Sequence, residues 1–256
     1  MTEQPTLYNS FAPLRNVVAL TQLIERCDSR AHGLPGMAVF YGPSGFGKST
    51  AAIFAANKYG ALHIQVKSTW GARKICTSIL SEAGVKPATT VADMQEQISE
   101  YLAVSDRPLL VDEADYLVSK RKIELIRDIH DGSNATVIMI GEEALPTRLK
   151  AWERIDGRIM SWVAAEPGTL ADVAPLARIY APGICVAEDL RRKILAASQG
   201  SIRRICTNLA HVNERARTRG VTEMNLETWG SGEFPSGIAP APRRGLAASV
   251  NARGMT

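Results

Sequence analysis

"YGPSGFGKST", residues 41–50, places three glycines and a proline ahead of a lysine and two hydroxyls. Residues 42–49 fit the pattern G-x-x-x-x-G-K-[ST], with Gly42, Gly47, Lys48 and Ser49 at its fixed positions. Glycines let the backbone wind so that successive N–H groups point inward as an anion nest, and a helix starting at the end of the loop adds its partial positive charge. Pro43, Ser44, Gly45 and Phe46 span the loop, and Thr50 follows it into the helix. Lys48 has the reach for β- and γ-phosphates, and the Ser49 hydroxyl is a ligand type for Mg²⁺. The flanks agree: "GMAVFY" (36–41) reads as a buried strand, and "KSTAAIFAANKYG" (48–60) reads as a helix closed by glycine. The expected ligand is a nucleoside triphosphate with Mg²⁺.

Downstream, "PLLVDEAD" (108–115) is an apolar strand delivering carboxylates at its C-terminal end, where parallel sheets place their ligands. Asp112 is the expected second Mg²⁺ ligand, and Glu113 the group that orients or deprotonates attacking water. The same acids also suit the first turn of a helix, which accounts equally for Asp115.

The rest of the chain alternates in the same way. Helices are expected over 14–30, 71–84, 91–104 and 119–133, and strands over 61–66, 108–112 and 135–141. Short apolar strands between helices of this length imply a parallel sheet covered on both faces. From about Gly168 to Trp229 only helical segments are read, including "TEMNLETW" (222–229). The organisation expected is a strap (1–13), an α/β core (14–166), a small all-helical lid (167–229) and a flexible tail (230–256).

Composition excludes little. Net charge is +4 and aromatics are 6%, which permits a polyanionic partner but leaves few rings for stacking bases. Cys27, Cys76, Cys185 and Cys206 form no C-x-x-C pair and read as reduced thiols of a cytoplasmic protein. The N-terminus has neither the basic start nor the apolar run of a secretory signal. No apolar stretch approaches the ~20 residues of a membrane span.

The glycine loop, "LLVDEAD", the strand "VIMIGEE", the arginines that follow and the C-terminal helices together resemble an AAA+ ATPase, over roughly residues 14–225. The implied fold is a P-loop NTPase, a parallel sheet sandwiched by helices with a C-terminal helical lid. Within that group, "VDEADYL" and "IGEEALPTRLKAWERIDGRI" are similar to the B protein of phage Mu and the regulator ATPases of bacterial transposons. That resemblance implies an ATP-dependent ATPase that self-assembles as a ring or filament on double-stranded DNA largely without regard to sequence, selects target DNA and activates a transposase partner, in the cytoplasm of a bacterial or phage-infected cell. It also implies roles for particular residues. Glu142 stands where the family has a polar sensor, usually asparagine or threonine. A carboxylate there is repelled by a γ-phosphate unless it pairs with a cation, and a solvated strand end is the other reading. Arg158 and, next in order, Arg154 stand where the family supplies an arginine finger to a neighbour's nucleotide, the alternative being surface pairing with Glu153 or Asp156. Arg203 in "GSIRRICTNL" (200–209) matches the second sensor, with Arg204 as substitute, and Tyr8 or "LRN" (14–16) would border the adenine.

Three basic clusters offer sequence-independent contacts to phosphates: Lys67, Thr69, Arg73 and Lys74; Lys120 and Arg121 with Lys122; and Arg148 with Lys150. The first is favoured by the resemblance. Two other functions share the nucleotide motifs: a helicase loader or replication initiator, and a signalling switch that binds ATP without DNA.

Overall fold

The structure, a computed structural model, describes residues 14–236. The strap with Tyr8 and most of the tail lie outside them. In chain order the α/β layer runs α1 (Arg15–Asp28), β1 (Met37–Tyr41), α2 (Lys48–Tyr59), β2 (Leu62–Gln65), α3 (Ala72–Glu82), α4 (Val91–Ser105), β3 (Leu109–Asp112), α5 (Asp115–Ser119), α6 (Ile123–Ser133), β4 (Val137–Gly141), α7 (Leu145–Lys150), α8 (Glu153–Asp156) and β5 (Ile159–Ala164). The five strands are parallel, in the order β2-β3-β4-β1-β5.

Alternation within the strands sorts side chains to two faces. Ala38 and Phe40 of β1, Leu110 of β3 and Ile138 and Ile140 of β4 join one core with α1 and α2. Met37, Val39, Leu109, Val111, Val137 and Met139 join the other, with α3, α4 and α6. Burial on both faces is why the central strands read as unbroken apolar runs. Each large, fully buried side chain contributes roughly 1.5–3 kcal/mol.

Beyond β5 the chain forms α9 (Leu170–Tyr180), β6 (Cys185–Val186), α10 (Glu188–Ser198), α11 (Ile202–Arg219), β7 (Glu223–Met224) and α12 (Leu226–Trp229). Their apolar residues, among them Leu176, Leu190, Ile205 and Trp229, belong to the same buried cluster as α1 and α2. Two expectations are corrected here. The C-terminal region is not all helical, because β6 and β7 pair in parallel. "TEMNLETW" splits because the Asn225 side chain accepts from the Thr228 N–H at 2.8 Å, which fixes Leu226 as the first helical residue. Met224 before it is extended and buried. Past Trp229 the chain folds back: Phe234 stacks on Trp229 at 4.7 Å, and Ser236 Oγ donates to Asn208 Oδ1.

The helix expected over 119–133 begins only at Ile123. Arg121 has φ +54°, so Lys120 and Arg121 sit in an exposed turn rather than on a helix face. Among the described residues no helix is long and apolar enough to cross a membrane.

Candidate nucleotide-binding site

Strand order places the chemistry. β4 lies between β1 and β3, so the C-terminal ends of these three strands bring together the glycine loop, the acids of β3 and Glu142. A cavity of about 680 Å³ opens there. One wall is polar, built from Ser44, Lys48, Ser49, Thr50, Asp112, Glu113 and Glu142. The opposite wall is largely apolar, with Leu14 ahead of α1, Leu176, Ile179 and Tyr180 of α9, and Ile202 and Cys206 of α11.

Five of the loop's carbonyls are engaged by hydrogen bonds. Lys48 Nζ donates to Gly42 O at 2.7 Å and Pro43 O at 2.9 Å. Gly45 O accepts from the Arg203 N–H at 3.0 Å. Phe46 O accepts from Asn16 Nδ2 at 2.8 Å, and Gly47 O from the Ala51 N–H inside α2. Gly45 takes φ +86°, and a β-carbon there would meet the Ser201 hydroxyl at 2.5 Å, so only glycine fits between loop and α11. The Phe46 side chain packs against the core instead of the cavity.

The acids are graded by environment. Asp112 is 2% exposed; its Oδ1 accepts from the Glu113 N–H at 2.9 Å, while Oδ2 is buried without a hydrogen-bond partner. A buried carboxylate oxygen left open beside Lys48 and Ser49 fits a divalent cation, with Ser49 supplying a second oxygen. Burial pushes the Lys48 pKa down, opposed by Asp112, Glu113, Glu142 and Asp115. Glu113 is shifted up by burial and then by Asp112, Asp115 and Glu142, against Lys48. Its φ of +57° is a strained conformation for a non-glycine residue, of the kind that clusters at functional sites.

Asp115 does more than sit in the first turn of α5. Its Oδ2 accepts from the Glu142 N–H at 2.7 Å, and its Oδ1 lies 3.5 Å from Arg148 Nη1, which ties the ends of β3 and β4 to α7. The approach requires Gly141, where any β-carbon would overlap Asp115 and Leu145. Gly141→Ala is therefore expected to cost about 1–3 kcal/mol, read as a lower denaturant midpoint. The Glu142 side chain is exposed at the cavity rim.

Of the arginines, Arg203 lines the cavity with Nη1 3.5 Å from Ser44 Oγ, whereas Arg204 turns away to Gln199. Arg158 precedes β5, at the N-terminal edge of the sheet and opposite the glycine loop. It is paired twice to Asp131 of α6, at 2.5 and 2.6 Å, and not to Glu153 or Asp156. Arg154 is exposed on α8, and its carbonyl accepts from Arg158 Nη1 at 2.7 Å. Within one chain neither arginine shares an end of the sheet with the cavity.

Lys67 and Thr69 are exposed just after β2, and Lys120 and Arg121 lie in the turn after α5, so both clusters follow adjacent strands. Arg73 donates to Thr89 O at 2.7 Å, and Lys74 lies 5.6 Å over the Trp70 ring. Arg148 is engaged by Asp115. Within the segment expected to border the adenine, Leu14 lines the cavity, and Asn16 is 5% exposed and bonded to the loop. A polar residue on the buried face of an amphipathic helix was the one available signal.

The fold is that of a P-loop AAA+ domain, a five-stranded parallel sheet covered by helices. Residues 31–149 match the family model described as an AAA domain. The fold is similar to that of Aeropyrum pernix ORC1, whose structure is a complex with DNA, at TM-score 0.63 and 18% identity over 88% of this chain and 65% of that one. Aeropyrum pernix ORC2, in ADPNP–ADP complexes, gives 0.61 and 15% over 83% and 65%. Cdc6p from Pyrobaculum aerophilum gives 0.59 and 15% over 86% and 66%. The chain thus spans about 65% of the length of the first of these. No curated protein matches it in sequence.

Proposed function

We propose that this chain is a Mg²⁺-dependent ATPase that binds duplex DNA and acts with further copies of itself, in the manner of a replication initiator or helicase loader. The observation that carries the ATPase reading is the meeting, in one cavity, of the glycine loop, the open Asp112 oxygen and the strained Glu113. The DNA reading is supported by the exposed basic clusters after β2 and α5, and by the likeness to an origin protein whose structure contains DNA.

In this mechanism the loop amides and Lys48 take the β- and γ-phosphates. Mg²⁺, held by Ser49 and Asp112, would neutralise charge on the phosphate oxygens. Glu113 accepts a proton from the water that attacks the γ-phosphorus as the bond to the leaving ADP oxygen breaks. Arg203 covers the phosphates from α11. A neighbour's arginine completes the site, and Arg154 is the better choice because Asp131 already holds Arg158.

A second reading, target selection for a transposase, is supported by the Mu B-like segments 111–117 and 140–159. Co-purification with a helicase or with a transposase separates the two. The shared claim is tested by anisotropy of a labelled duplex and by ATP turnover. Binding is expected to need Mg·ATP, to weaken with salt and to raise turnover; DNA-independent turnover would leave only a nucleotide switch. Arg154→Ala is expected to lower DNA-stimulated turnover about 100-fold or more, and to be rescued by mixing with Lys48→Ala chains that supply an intact arginine. Arg158→Ala should instead lower stability. Absence of rescue in the mixture would rule out action in trans.

A further inference from the structure

Asn16 is a buried polar residue that the mechanism above leaves unused. Its side-chain amide makes three bonds across large sequence separations. Nδ2 donates to Phe46 O and to Glu166 O, both at 2.8 Å, and Oδ1 accepts from the Glu166 N–H at 2.9 Å. Both donor hydrogens and an acceptor lone pair are therefore spent, on the tip of the glycine loop and on the link from β5 to α9. Neither segment is bonded to the other directly by these groups, so one side chain of α1 joins them.

The geometry of the peptide plane gives this clasp a consequence. In a trans peptide the C=O and the next N–H point in opposite directions. Holding Phe46 O against α1 turns the Gly47 N–H to the other side, where Gly47 lines the cavity. Glu166 stands at the junction: the chain continues through Pro167 to Gly168, whose N–H donates to Gly200 O just ahead of α11. Resting on the nucleotide reading, we infer that Asn16 is a positioning residue that presents the Gly47 N–H to the phosphates and ties the loop to the junction carrying the C-terminal helices. A ligand that shifts the loop then shifts that junction through this side chain, beside the direct bond from the Arg203 N–H to Gly45 O.

Asn16→Ala removes the clasp, and Asn16→Asp keeps its shape but sets a carboxylate against two carbonyl oxygens. Both are expected to fold, because buried Leu20, Leu23 and Ile24 still anchor α1. Hydrogen–deuterium exchange of the full chain without nucleotide should show the amides of residues 45–47, 166 and 168 exchanging faster together, by about tenfold or more. ATP turnover should show KM raised by about tenfold in Asn16→Ala and further in Asn16→Asp, with kcat at saturation little changed, because a contact to the β-phosphate is made equally in ground and transition states. Lys58→Ala, which removes the exposed Lys58–Glu25 ion pair to α1, should move neither readout. Unchanged exchange in both segments, or a loss of kcat at constant KM, would overturn the role of Asn16. If the wild-type chain turned over no ATP, that result would count against the ATPase reading, and the exchange data would still decide whether the clasp positions the loop.

Discussion

Lys48→Ala is expected to abolish measurable ATP hydrolysis and to weaken Mg·ATP binding by about 10- to 100-fold, the range for a charge-assisted hydrogen bond removed from a partly enclosed site. All four acids of the site, Asp112, Glu113, Glu142 and Asp115, act upon Lys48. Without it, a triphosphate enters a cavity whose polar wall carries uncompensated carboxylates. The ammonium donates to Gly42 O and Pro43 O at the edge of the loop, within reach of phosphate oxygens seated on the loop amides. Equilibrium binding of a fluorescent ATP analogue, with turnover measured in parallel, reads both effects. A Lys48→Ala chain that still assembled on DNA in response to ATP would break the proposed coupling between nucleotide and assembly.

Glu113→Gln should separate binding from chemistry. The amide keeps the shape but cannot accept the proton of the attacking water, so turnover is expected to fall about 10²- to 10⁴-fold. Mg·ATP affinity should hold or improve, because one of the carboxylates facing the phosphates is neutralised. The pH profile supplies a second signature. Burial first, and then Asp112, Asp115 and Glu142, raise the Glu113 pKa above its ordinary 4.5. The base is active only when ionised, so wild-type turnover is lost as pH falls through that raised value and is full above it. Glu113→Gln should lack this acid limb. Stopped hydrolysis with retained nucleotide should also leave the chain on DNA for longer. A variant with near-normal turnover would transfer the role of base to another group.

The sheet was legible because its strands are buried on both faces and therefore read as apolar runs ending in punctuation: glycine at 42 and 141, acids at 112 and 113. The loop was legible because phosphate binding fixes residue types at fixed spacing. What escaped the sequence were contacts made over long separations. Nothing local to Asn16 announces Phe46 and Glu166, and nothing in "DEAD" tells that Asp115 reaches the Glu142 N–H rather than simply occupying a helix turn. The β6–β7 pair escaped because two-residue strands carry no periodicity, and only the Asn225 cap divides "TEMNLETW". The arginines show a different failure: motif position ranked Arg158 first, but a partner on α6, 27 residues earlier in the chain, holds it.

Everything proposed for this chain requires that its cavity take Mg·ATP through the phosphates. The direct measurement is isothermal titration of the folded protein with Mg·ATP and, separately, with adenosine. The account predicts saturable binding of Mg·ATP at one site per chain, lost on chelating Mg²⁺ and much weaker for adenosine. Equal binding of both ligands, or no binding of either by protein with an intact unfolding transition, would contradict it.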